Sequence, residues 1–136
     1  MKPYQPHLFY KLYRALQDEG LADHDMVFDK EMTFVSDLGF FTLRFTTENV
    51  PQVVHFLVWP EKRVWHNSVR FYREMRRVLI DLGFVMAIMM EPKDKPQMGT
   101  FIKIVCAGTK NIKPYAERDG NLFYLVKFGR RYENIQ

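Results

Sequence analysis

Cysteine is almost absent. Cys106 is the single one in 136 residues, so no intramolecular disulfide can form and no thiolate-based zinc site can be built. Histidine is sparse as well. His7, His24, His55 and His66 are scattered, and no two stand four apart. Asp23-His24-Asp25 is the one dense cluster of histidine and carboxylate, with no second cluster at ligand spacing, so no metal motif is present. There is no phosphate-binding glycine loop of the P-loop type and no Ser–His–Asp signature. Long apolar runs are missing too. The longest, around Phe84 to Met90, falls far short of the ~20 residues a membrane helix needs. The opening Met1-Lys2-Pro3-Tyr4-Gln5-Pro6 has neither the apolar stretch nor the cleavage site of a secretory signal. A cytoplasmic protein is the expectation. No internal repeat occurs, and the seven prolines and seven glycines are spread evenly, so no linker stands out. A single domain over residues 1–136 is therefore expected.

What is present is the composition of a folded chain: 47% hydrophobic and 26% charged residues. Aromatics reach 15%, and phenylalanine alone supplies 12 residues. The net charge of +4 favours anionic partners only weakly, because nucleic acid calls for a concentrated stripe. That surplus is nevertheless localised. Lys62, Arg63, Arg70, Arg73, Arg76 and Arg77 face Glu61, Glu74 and Asp81, leaving +3 over residues 61–81. A phosphate patch, a nucleic-acid surface and an acidic-protein surface all fit. So does a solvated helix face laced by Arg70–Glu74 and Arg77–Asp81 pairs. A nucleic-acid surface would need aromatics exposed beside the charges. Trp65 and Phe71 are the candidates, with core the commoner use for Phe71.

The hydrophobic pattern orders the elements. Leu8, Phe9, Leu12, Tyr13 and Leu16 recur at helical spacing and predict a helix over 6–18, with Pro6 in its first turn and Gly20 as its stop. A short strand over 31–36 runs into the turn Asp37-Leu38-Gly39. Residues 40–47 alternate, with Phe41, Leu43 and Phe45 on one face and Thr42, Arg44 and Thr46 on the other, which predicts a half-buried strand. Residues 52–59 read as a buried strand stopped by Pro60. Val69, Tyr72, Met75, Leu79 and Leu82 predict the strongest helix, capped by Asn67 or Ser68 and stopped by Gly83. Residues 84–90 suit a strand buried on both faces. Met98 to Cys106 fits helix or strand, with helix preferred because Gly108 follows. A hairpin over 114–128 turns at Arg118-Asp119-Gly120. The fold class expected is α+β: a mixed, mostly antiparallel sheet flanked by helices, with a strand–helix–strand crossover between Trp59 and Met90.

That order, together with Val58-Trp59-Pro60-Glu61-Lys62-Arg63 and the stretch from Gly83-Phe84 to Lys127, resembles the GNAT superfamily of N-acyltransferases. In that family the fourth strand ends in a Val-x-Pro-like step. An Arg/Gln-x-x-Gly-x-Gly/Ala loop then leads into a helix whose N-terminal amides hold the pyrophosphate of coenzyme A. Val58 and Pro60 match the strand end, and Arg63 matches the first loop position. His66 stands at the first glycine and Ser68 at the Gly/Ala position. The family's helical tyrosine, which protonates the departing thiolate, maps to residues 101–104, where there is none. Tyr115 is the nearest. The chain also resembles small GNAT-like internal virion proteins of short-tailed phages, which implies a virion or host-cytoplasm setting.

The resemblance implies two functions. The first is a transferase moving an acyl group from acetyl-CoA to an amine. His55, on the fourth strand, would be its catalytic base. Val58, Arg63, Val64, Trp65, His66, Asn67 and Ser68 would form the cofactor-binding set. The second is a non-catalytic structural or interaction protein on the same fold, for which His66 and the missing tyrosine speak. The partner is then an amine substrate in the first case and a protein in the second. Nucleic acid ranks behind both, and no membrane is implied. Bland uses compete at each position: His55 packed in the sheet, His66 exposed in a loop, Trp59 and Trp65 in core or rim, Cys106 as an inert small hydrophobe.

Overall fold

A computed structural model describes residues 1–22, 27–29, 32–45, 50–91, 93–94, 102 and 112–128. The elements are β1 (Lys2–Pro3), a 3₁₀ turn (Pro6–Leu8) continued by α1 (Phe9–Asp18), β2 (Thr33–Val35), β3 (Gly39–Phe45), β4 (Pro51–Val58), a second 3₁₀ turn (Pro60–Lys62), α2 (Trp65–Asp81), β5 (Met86–Glu91), β6 (Ile112–Arg118) and β7 (Asn121–Lys127). The seven strands lie in the order β1-β2-β3-β4-β5-β7-β6. Pairing is antiparallel at β1–β2, β2–β3, β5–β7 and β6–β7. It is parallel at β4–β5, in register at Gln52 and Ile88, so β4–α2–β5 is the crossover predicted. The fold is α+β, with a mixed and mostly antiparallel sheet and, among the described residues, two helices long enough to bury a face. No described helix is long and apolar enough to cross a membrane.

Backbone packing groups the chain into two compact units, Met1–Leu43 with His55–Glu74, and Arg44–Val54 with Met75–Gln136. In the first unit the sheet is covered on both faces. Leu12, Ala15 and Leu16 of α1 pack with Val35, Phe40, Leu57 and Trp59 on one face. On the other, Phe71 of α2 lies against Phe56 (ring centroids 4.9 Å apart) and Phe41 (6.3 Å). This double cover corrects the expectation of a half-buried β3. Phe40, Phe41, Thr42 and Leu43 are all buried, and Thr42 pairs across the ladder with buried Thr33. Only Arg44 and Phe45 at the strand end are exposed.

Both helices end as the glycine positions foretell. Gly20 and Gly83 adopt φ of +71° and +96°, and the amides beyond them, Leu21 and Phe84, donate to the carbonyls of Leu16 and Leu79 at 2.9 Å. This is the left-handed stop in which a residue without Cβ is unstrained. In the second unit β7 lies between β5 and β6. The β6–β7 hairpin turns at Asp119 and Gly120 with φ of +55° and +84°, both positive, as the tight turn matching sheet twist requires.

The start of α2 differs from expectation. The helix begins at Trp65, so Asn67 and Ser68 lie inside its first turn and do not cap it. The Val64 carbonyl accepts from both the Asn67 and Ser68 amides, which winds the chain helically before those side chains could act as caps. Strand β1 has no hydrophobic signature and was not expected; backbone pairing of Lys2 to Val35 and Pro3 to Phe34 creates it. Asp23-His24-Asp25 and Cys106 lie outside the described residues. Of the segment Met98 to Cys106 only Ile102 is described, and it is helical and fully buried.

Candidate functional site

The step out of β4 gathers the polar groups that the sequence singles out. Pro60 ends the strand and starts a 3₁₀ turn, because its ring fixes φ and removes a ladder donor. Trp59, immediately before it, is 1% exposed. Its indole Nε1 donates to the Ser36 carbonyl at 3.1 Å, and its amide donates to the Leu38 carbonyl at 2.8 Å. The turn is thereby pinned to the core at its first residue.

Arg63 folds back over this turn. Its Nε donates to the Val58 carbonyl at 3.0 Å, and its Nη1 forms an ion pair with Glu19 at the end of α1. The guanidinium thus clamps the end of β4 to the end of α1. Asn67 reaches back in the same way, its Nδ2 donating to the Lys62 carbonyl at 2.8 Å. The backbone amides of the loop are also engaged locally. Lys62 donates to Trp59, Arg63 to Pro60, Val64 to Lys62, and both Asn67 and Ser68 to Val64.

The residues predicted as a cofactor set are therefore brought together, and five of the loop's amides and the Arg63 side chain bond within the β4 exit and to Glu19. A pyrophosphate cradle needs amides aimed outward at the ligand and a cation free to join them. Here five amides end on carbonyls of their own turn, and the Arg63 guanidinium is committed to Val58 and Glu19. His66 adds a Cβ where close phosphate approach favours glycine. The donors engaged in this way are not aimed at a pyrophosphate. Val64, Trp65 and His66 are exposed, and Asn67 and Ser68 are half-buried.

His55 stands apart from that cluster. On β4 successive side chains alternate between faces. Phe56 meets Phe71 of α2, and Leu57 belongs to the α1 core. His55 therefore shares the α1 face with Leu57 and is half-buried there. Sequence reasoning missed Glu19. An ion-pair partner so distant in the chain leaves no local signal; only the packing of α1 beside the β4 exit selects it.

A groove of about 500 Å³ opens beside the same exit. Tyr10, Lys11, Arg14 and Asp18 of α1 form one wall, and Trp59 and Glu61 the other. Lys11 Nζ stands 4.4 Å from the centroid of the Trp59 ring, a cation–π contact that caps the indole. Two cations and two carboxylates share the rim, so the groove carries no single sign of charge.

Comparison with known proteins gives no match: no family model, no curated protein and no solved structure corresponds to this chain. Fold and site define it as a mixed α+β protein with a self-bonded turn at the β4 exit.

Proposed function

We propose that the chain is a GNAT-type scaffold that works by binding a partner and not by transferring an acyl group. The observation that carries this reading is the internal use of the loop donors: five amides and Arg63 are spent on holding the β4 exit together. The GNAT element is supported by the parallel pairing of β4 with β5, bridged by α2 directly after Val58-Trp59-Pro60. A virion-associated setting rests on the resemblance to phage proteins alone.

Titration calorimetry with acetyl-CoA tests the reading. The expected result is no heat of binding at high micromolar coenzyme. Saturable heat that disappears in Arg63→Ala would overturn it and restore the acyltransferase, with His55 as the candidate base and Val58, Arg63, Val64, Trp65, His66, Asn67 and Ser68 as the cofactor set.

A further inference from the structure

The groove beside the β4 exit lies wholly within the first unit. Its four charged groups, Lys11, Arg14, Asp18 and Glu61, are all exposed. Among the described residues none of the four has an ion-pair partner, whereas Glu19 and Arg63 hold each other. Helix stability does not explain where these charges stand. Backbone dipoles favour acids at the start of a helix and bases at its end. In α1 the cations Lys11 and Arg14 come first and Asp18 is the final residue, with no acid in the first turn and no base in the last. Arg14 and Asp18 are one turn apart, but in the order, base before acid, that pairs less well.

The opposite wall runs alongside the helix. Trp59 meets Lys11 and Arg63 meets Glu19, so residues 59–63 follow α1 from its first half to its end, and Glu61 stands between the two anchors. The groove thus has a cationic end and an acidic stretch. Lys11 is held in place there, because its ammonium rests over a ring that is itself fixed by the Trp59 indole bond to the Ser36 carbonyl. A cation ordered in advance costs less to immobilise on binding.

From these features, and resting on the binding-scaffold reading, we infer that the groove docks an extended segment of a partner protein that carries an acidic and a basic side chain two residues apart. The acid meets Lys11 and Arg14, and the base meets Asp18 and Glu61. The spacing agrees. From the midpoint of Lys11 and Arg14 to Asp18 the helix rises about 8 Å, and two residues of extended chain span about 7 Å with both side chains on one face. Openness favours a protein segment over a free zwitterion. Tyr10 on the rim is 78% exposed, whereas a small-molecule pocket encloses most of its ligand. Exposed ion pairs contribute little each, so the occupant needs backbone contacts on either side of its charges. An anionic polymer is disfavoured by the two carboxylates.

The test is titration of the 136-residue chain, labelled with nitrogen-15, with the end-capped peptide Gly-Glu-Ala-Lys-Gly, followed by amide chemical shifts. Saturable shifts are expected in α1 and in the turn that starts at Pro60. Analogues with two Glu or with two Lys bind about fivefold more weakly, since one exposed pair is lost and one repulsion gained. Arg14→Glu makes the two-Lys analogue the best ligand, and Asp18→Lys makes the two-Glu analogue the best. Asp18→Lys also raises the thermal midpoint, because a base then stands at the helix end. Both altered side chains are exposed, and far-UV circular dichroism verifies that the variants fold. No saturable shift at millimolar peptide, shifts confined to other elements, or an unchanged ranking of the three peptides in both variants overturns the inference. A lower midpoint in Asp18→Lys overturns the assignment of Asp18 to a ligand. Equal binding by free glutamate or lysine overturns the protein segment and assigns the groove to a small zwitterion. Heat on adding acetyl-CoA, measured separately, would overturn the binding-scaffold reading without altering the ranking of the peptides.

Discussion

Gly39 stands at the head of β3, where a Cβ would lie 1.9 Å from the Leu57 carbonyl oxygen and 2.9 Å from Val58 Cα. Both atoms are backbone of the neighbouring strand, so no rotamer change relieves the overlap. Gly39→Ala is expected to cost about 3 kcal/mol or more, read as a lower midpoint in urea denaturation. Tyr4 gives a second test at this scale. Burial pushes its hydroxyl above the ordinary value of 10.0, because the phenolate is poorly solvated there. The native state therefore holds this proton more tightly than the unfolded chain does. Stability from this group is intact below about pH 10 and declines as pH rises from there towards the raised value. Thermal melts across that range, with absorbance titration of the phenolates, check the sign. Arg63 shows what residue-level reading can and cannot reach. Its place after Val58-x-Pro was visible in the sequence, but its engagement with Glu19 was not. An ion pair is set by where two side chains arrive in space, and the sequence records only that one cation and many carboxylates exist.

At the scale of elements, α2 is the one that the pattern described best. Of the predicted positions, Tyr72, Met75 and Leu79 are at most 2% exposed and Val69 is half-buried, whereas Leu82 lies just past the helix end at Asp81 and is 52% exposed, a correction to the expected face. Phe71 joins them between Phe41 and Phe56. Phe71→Ala removes two ring contacts and leaves a cavity in the first unit. It is expected to cost about 3–5 kcal/mol by chemical denaturation. The hairpin was equally legible, because Asp119-Gly120 is the dipeptide that tolerates two successive positive φ values. Less legible were the ends. The cap of α2 was expected at Asn67 or Ser68, since these side chains suit a helix start in isolation. The 3₁₀ turn set by Pro60 brings the chain into helix earlier, at Trp65. Strand β1 was invisible for a related reason: two residues carry no period, and only the edge of β2 makes them a strand.

For the whole molecule, the division into two units runs through β3, β4 and α2, each of which has residues in both. No loop separates the units at those points, so loss of one is expected to break elements of the other. Urea unfolding followed by tryptophan emission, which reports Trp59 and Trp65 in the first unit, should coincide with unfolding followed by far-UV circular dichroism of the whole chain. Separate midpoints would mean that the units unfold independently.

By itself the sequence determined the α+β class, the first helix, the strand–helix–strand crossover of β4, α2 and β5, the stops at Gly20 and Gly83, the closing Asp-Gly hairpin and the concentration of charge after Pro60. Each is written in neighbouring residues, through periodicity, backbone freedom or composition. Tertiary structure alone decided the placing of β7 between β5 and β6, the burial of Thr42 on a face read as polar, and the direction in which the β4-exit donors point. Those depend on contacts between segments far apart in the chain. The same loop residues could face outward to a ligand or inward to one another, and the packing of α1, through Glu19, holds Arg63 inward.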